Sequence, residues 1–266
     1  MNQTLKMITS VHNPKIQSVR KLLAHAKERH VQQAFVLEGV RLAEEALYGE
    51  WKAQLVLFTE TLDPRGQAVV DGFSACGAAI EQISETVMKA ISETETPQGL
   101  MVVLGQKTLP ILNMPDFLLI LDAVRDPGNL GTVLRTAAAA GVQGVLLAPG
   151  CVDAWSPKVL RAGMGAHFHL PIQNLGWQDI RQALKQASGK MQAYLADSAA
   201  GMAYTQADFS IPLALIVGGE AAGAGSDARS LADEKVHIPM PGGSESLNAA
   251  VAASLLLFEV VRQRTT

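Results

Sequence analysis

Over the first hundred residues, short apolar runs alternate with amphipathic ones. Ala34 to Glu38, Gln54 to Thr59, Ala78 to Ile83 and Leu100 to Leu104 read as strands. Between them, Val40 to Tyr48, Pro64 to Ser74 and Glu85 to Ile91 read as helices. Ahead of these, Asn13-Pro14 marks a helix start, with asparagine as N-cap and proline in the first turn. That helix is expected to run to about His30. The alternation predicts a small α/β domain.

The pattern changes after Gln106. Lys107 to Pro115 holds two prolines and little periodicity, which reads as a linker between a domain of residues 1–106 and one of residues 116–266. Beyond it, Phe117 to Leu121, Gly144 to Leu147 and Leu213 to Val217 are continuously apolar. Such runs fit strands covered on both faces, as in a parallel sheet. A further strand is expected at His237 to Met240. After a Pro/Gly/Ser loop, a helix from about Leu247 to Arg262 is apolar nearly all round, so it is expected to be buried.

Composition narrows the class. With 48% hydrophobic residues, a packed core is available. Cys76 and Cys151 are too few and too distant for a disulfide framework, and neither has neighbours that suggest a metal site. No signal peptide is visible at Met1 to Ser10, and Ala249 to Leu257 is far short of a membrane span. A soluble, cytoplasmic protein without metal or membrane is the expectation. The net charge of −3 argues against bulk electrostatic binding of nucleic acid. Its distribution is uneven. Residues 1–30 hold six basic side chains and one acidic, whereas residues 31–115 hold five basic and eleven acidic. The basic arm could touch phosphates or simply be a solvated helix face.

Three segments carry candidate chemistry, each where an apolar strand ends. In open α/β sheets that edge is where ligands bind. The first runs from Arg125 to Arg135 and includes Pro127, Gly128 and Asn129, the last placed to cap a helix. Arg135 has only Gly131, Thr132, Ala138 and Ala139 three and four residues away, so it has no ion partner on its helix. It could face a ligand, or lie on the surface with its stem on small neighbours. The second segment is Gly218-Gly219-Glu220, where the glycines could admit a ligand to the backbone. The third is Ile238-Pro239-Met240 followed by Ser246-Leu247-Asn248, in which Ser246 or Asn248 could cap the last helix. Ser156-Pro157, with Lys158 and Arg161, could add a basic helix start beside the pocket. Gly223 to Ala228 formally matches a dinucleotide fingerprint, but no acidic residue ends a second strand about twenty residues on, so the match is accidental. The six histidines are scattered, as structural histidines are.

With these motifs in order, the chain resembles the SpoU/TrmH family of RNA ribose 2′-O-methyltransferases, within the SPOUT superfamily. Asn129 and Arg135 match its first signature, Gly218 to Glu220 its second, and Ile238 to Met240 with Ser246 to Asn248 its third. Ser156 to Pro171, including Met164 to Pro171, and Phe35 to Gly39 in the N-terminal domain, are similar to the ribosomal-RNA branch. One departure stands out: Ala221 follows Glu220 where the family usually has glycine. The resemblance implies an N-terminal RNA substrate-binding domain and a C-terminal SPOUT domain with a trefoil knot and a mostly parallel sheet. It also implies a homodimer and S-adenosyl-L-methionine as donor. Gly218, Gly219, Ile238, Met240 and Leu247 would hold that donor, while Arg135, Asn129, Ser246, Asn248 and Glu220 would serve catalysis. Ribosomal RNA is the favoured substrate. Transfer RNA, and a non-catalytic RNA- or ribosome-binding protein on the same fold, are the alternatives.

Overall fold

The structure, a computed structural model, describes residues 7–187, 191–219 and 223–265. In chain order the elements are α1 (Pro14–Ala24), α2 (Ala26–Gln32), β1 (Ala34–Glu38), α3 (Val40–Tyr48), β2 (Ala53–Phe58), α4 (Pro64–Ala75), β3 (Ala79–Gln82), α5 (Glu85–Ile91) and β4 (Leu100–Gly105). There follow β5 (Phe117–Asp122), α6 (Pro127–Ala139), β6 (Gly144–Leu147), α7 (Pro157–Gly163), β7 (Ile172–Asn174), α8 (Trp177–Gln186) and β8 (Gln192–Ala196). Last come β9 (Met202–Ala203), β10 (Leu213–Gly218), α9 (Ser226–Leu231), β11 (Glu234–His237) and α10 (Ala249–Thr265). Among the described residues, no helix is long and apolar enough to cross a membrane.

Contacts divide the chain into two compact units, one comprising the residues up to Lys107 together with Trp155–Arg161, the other the remainder. In the first, four strands lie in the order β1-β4-β2-β3. The β4 strand is antiparallel to both neighbours, and β2 runs parallel to β3. The Phe35 ring lies 5.9 Å from Trp51 and 4.7 Å from Trp155, centroid to centroid. Asn13 caps α1 by accepting from the Lys15 N–H at 2.9 Å. The single helix expected up to His30 is instead two. His25 is extended, and the buried Arg29 donates to the carbonyls of Leu22 (2.5 Å) and Leu23 (3.0 Å). A guanidinium thereby satisfies the last carbonyls of α1, which a continuous helix would have bonded itself.

The second unit is built on a sheet in the order β7-β6-β5-β10-β8-β11-β9, in which every described neighbour pair is parallel. Central β5 is buried along its whole length and β10 up to its final Gly218, which explains their continuously apolar sequences. On one face, α8 and α9 supply Ile180, Leu184 and Ala228 to a core shared with Leu118, Ile120, Ala214 and Ile216. Elsewhere in the unit, α10 packs on α6 and β10.

Two expectations are corrected here. The last strand ends at His237, where it was expected to begin. Pro239 has no N–H to give a ladder, and Pro241 repeats the block two residues on. The last helix begins at Ala249, two residues later than expected, and its burial is incomplete. Val251, Leu255 and Phe258 are exposed by 48%, 40% and 50%.

Candidate active site

Because the described neighbours in this sheet are all parallel, their carboxyl ends share one edge, and the loops leaving β8, β10 and β11 meet there. They enclose a cavity of about 390 Å³. Six sequence-derived candidates line it: Gly218, Gly219, Ile238, Met240, Ser246 and Leu247. Glu220 and Ala221 lie outside the described residues.

The chain itself requires these glycines. A Cβ on Gly218 would land on the backbone of Gly223 and Ala224, and one on Gly219 would land on the Ala123 carbonyl oxygen. The backbone after β10 therefore seats directly on the backbone after β5. Ala123 has a positive φ of 53°, a conformation uncommon for a residue with a side chain. The buried Asp122 holds Gly225 in place, accepting from its N–H at 2.7 Å.

Asn248 joins the first and third segments. Its Oδ1 accepts from the N–H groups of Ala250 (2.9 Å) and Val251 (3.3 Å), which makes it the N-cap of α10. Its Nδ2 donates to Asn129 Oδ1 at 3.0 Å. Asn129 was expected to cap α6, but Asp126 does so, accepting from the Asn129 N–H at 2.8 Å. With Pro127 in the first turn, Asn129 stands at the third helical position and its side chain is turned to Asn248. Arg135 lies farther along α6, exposed, and does not line the cavity. Among the described residues it makes no hydrogen bond or ion pair, so its guanidinium is available to a binding partner. Lys158 and Arg161 do not line the cavity either, and Arg161 pairs with Glu93 at 3.1 Å.

Of the charged lining residues, Asp197, just past β8, and Arg229, on α9, lie outside the three segments, whereas Glu245 lies within the third. The sequence signal for Asp197 is an acidic residue at the end of a short apolar run, Ala193 to Ala196; Arg229 carries no such signal. Burial works to raise the Asp197 carboxyl. The Ala199 N–H and the Arg229 guanidinium, with Lys235 beside them, outweigh it and hold the group below the usual carboxylate range.

The cavity's volume suits a nucleoside-sized ligand, since small-molecule sites span roughly 300 to 1,000 Å³. Ala196, Ala249 and Leu256 give it low apolar walls. The backbone from Ile238 to Met240 lies past the last laddered residue, His237, so its polar groups are free of sheet pairing. Flat rings with a polar edge are recognised by such a combination. A dinucleotide reading of Gly223 to Ala228 gains nothing, because the segment leads only into the six-residue α9.

Residues 116–258 match the model of the SpoU rRNA Methylase family, and residues 13–102 match that of the MRM3-like substrate binding domain. The 23S rRNA (guanosine(2553)-2′-O)-methyltransferase RlmP of Bacillus subtilis is 34% identical over 96% of this chain and 99% of its own length. The mitochondrial rRNA methyltransferase 3 of Homo sapiens is 32% identical over 94% of this chain and 72% of its own. A crystal structure of the AdoMet-bound rRNA methyltransferase from Sinorhizobium meliloti superposes with a TM-score of 0.86, at 32% identity and 97% coverage of both chains. With three strand-end loops meeting at one cavity and these likenesses running almost end to end, the chain belongs to the SpoU rRNA methylase family.

Proposed function

We propose that this protein transfers a methyl group from S-adenosylmethionine to a ribose 2′-hydroxyl of ribosomal RNA. The observation that carries the reading is the pairing of Asn248 with Asn129 beside the cavity. Asn248 sits between two lining residues, Leu247 and Ala249, and its amide ties the donor side to the helix bearing Arg135. When bound, the sulfonium donor supplies an already activated methyl group. The chain must therefore align the hydroxyl oxygen and manage one proton.

The residues divide that work. Gly218, Gly219, Ile238, Met240 and Leu247 hold the donor through backbone and apolar contacts. Asn129, Asn248 and Ser246 orient the ribose and the loops. A guanidinium is almost never deprotonated, so Arg135 stabilises the developing alkoxide or grips the adjacent phosphate, and the proton leaves to another acceptor. The N-terminal unit binds the RNA. We place the protein in the cytoplasm as a homodimer and infer the family's trefoil knot.

Methylation mapping in RNA from cells with and without the gene tests the substrate. Loss of one ribose methyl in ribosomal RNA is expected, and loss confined to transfer RNA would redirect the assignment. A chain that binds RNA but shows no calorimetric affinity for the donor would be a non-catalytic binder. Arg135→Ala should lower turnover by about a hundred- to a thousandfold while sparing donor affinity. Near-normal turnover in Arg135→Lys would count against a forked contact.

A further inference from the structure

Arg229 touches two loops that line the cavity and belong to neither helix of the Asn129–Asn248 pair. Its Nε donates to the Ala224 carbonyl at 3.1 Å, and its Nη1 donates to Asp197 Oδ2 at 2.6 Å. Ala224 lies just ahead of α9, and Asp197 opens the loop that follows β8; both face the cavity. The Asp197 side chain is 8% exposed, whereas Arg229 is 43% exposed, so the pair sits at the rim.

The Asp197 loop is held from other sides too. The Asp197 N–H donates to the Val236 carbonyl at 2.9 Å, and its carboxylate also faces Lys235 Nζ at 3.7 Å. Gly201 is pressed on the Lys235 carbonyl, and His237 Nδ1 lies 3.0 Å from the Gly201 carbonyl. This side of the cavity is thus lashed to β11. The Ala224 side has Asp122 below it and Arg229 above it. Arg229 spans from one of these segments to the other.

We propose that Arg229 and Asp197 form a latch that sets the width of the cavity mouth and acts as a positioning pair for donor binding. The inference rests on the reading of this cavity as the donor site. A latch of this kind pre-organises two loops before the ligand arrives, so its loss falls on affinity rather than on the chemical step. Lysine in place of arginine could keep the ion pair but could not also reach the Ala224 carbonyl through a fixed fork.

The test is donor affinity by calorimetry, with KM and kcat for methyl transfer, on the full-length protein. Arg229→Ala and Asp197→Asn should each raise the donor Kd and KM on the order of tenfold, within the usual range of coupling between sites. The double variant should be no worse than the weaker single one, while kcat and the KM for RNA stay near wild type. Arg229→Lys should fall between the wild-type protein and Arg229→Ala. Arg181→Ala controls for general loosening, because Arg181 braces the same helix from elsewhere through the Asp227 carbonyl and Ser230 Oγ. It should lower the melting temperature without moving donor affinity.

Unchanged donor affinity in Arg229→Ala, in a wild-type background that binds donor, would overturn the latch. So would an equal loss in Arg181→Ala, or a fall in kcat with KM unmoved. If Arg229→Ala fails to fold, Asp197→Asn decides by the same readings. A wild-type protein that binds no donor would instead refute the assignment of the cavity, a distinguishable result.

Discussion

Asn248 shows how much one side chain can be asked to do. Its oxygen caps a helix and its nitrogen reaches a second helix, and the two roles can be separated by substitution. Asn248→Asp keeps the capping oxygen but removes the donor, placing two acceptors face to face at Asn129. It should cost little stability and much activity. Asn248→Ala loses both roles and should also destabilise by about 1 kcal/mol, the usual cost of a lost cap. Equal activity in the aspartate variant and the wild type would show that the Asn129 contact is idle. His167 offers a purely structural counterpart. Its Nε2 lies 2.9 Å from the Ala154 carbonyl, and the ring is buried. Burial lowers its pKa to about 4; the Ala154 carbonyl and the Asp153 charge oppose the shift without overcoming it. Protonation is therefore harder in the folded state than in the unfolded one. Stability should fall as pH drops from about 6.5, the unfolded value, toward 4, by at most about 3 kcal/mol from this group. Denaturant titrations of His167→Gln should show a flatter acid limb over that window; an unchanged limb would refute the assignment.

At the level of elements, long apolar runs were legible because their physics is local. The β5, β6 and β10 strands and the α3 and α5 helices fall close to where periodicity puts them. Misreadings arose where tertiary contacts override that signal. The helix break at His25 depends on Arg29 folding back onto carbonyls six and seven residues earlier. The β8 strand is short and flanked by polar residues, so its neighbours in the sheet define it more than its own sequence does. The candidate site was readable as three segments, since glycine and proline mark them. That one sheet edge would gather them followed from their places at strand ends; Asp197 and Arg229 were not readable, because their pairing joins separate segments of the chain. The two glycines illustrate the gap. They were legible as necessary, yet the reason is backbone pressed on backbone. Gly219→Ala should therefore destabilise the fold itself, beyond the roughly 1 kcal/mol typical of point substitutions. Thermal melts should show the loss without donor present, whereas a melt equal to wild type would return the glycine to a ligand-contact role.

For the molecule as a whole, the distribution of exposed apolar surface matters more than its amount. Val251, Leu255 and Phe258 join Thr132 and Ser254 in a shallow groove between α10 and α6. Large exposed side chains gathered in this way mark contact sites more often than chance positions do. The same α6 carries the exposed Arg135, so a second copy seated on the groove would lie close to the proposed catalytic arginine. Leu255→Glu should convert a dimer to a monomer in sedimentation experiments and reduce turnover with it. A monomeric wild-type protein with full activity would refute the proposed homodimer. The uneven charge adds a second expectation at this scale. Arg20, Lys21 and Lys27 are exposed on the α1–α2 elbow and have no side-chain partner among the described residues. If they meet phosphate, the affinity for RNA should depend steeply on salt, and Gln replacements should flatten that slope by about 0.7 per contact on single strands.

The seating of one strand-end segment on another has a practical corollary for anyone recombining relatives of this protein. Residues 122–124 fit against Gly219 as main chain on main chain, and the Asp122 carboxylate ties Gly225 to the same joint. A chimera that takes one segment from a cousin and leaves the other behind inherits a mismatched joint. Transplanted as a matched set, the two should carry their geometry into a new host intact.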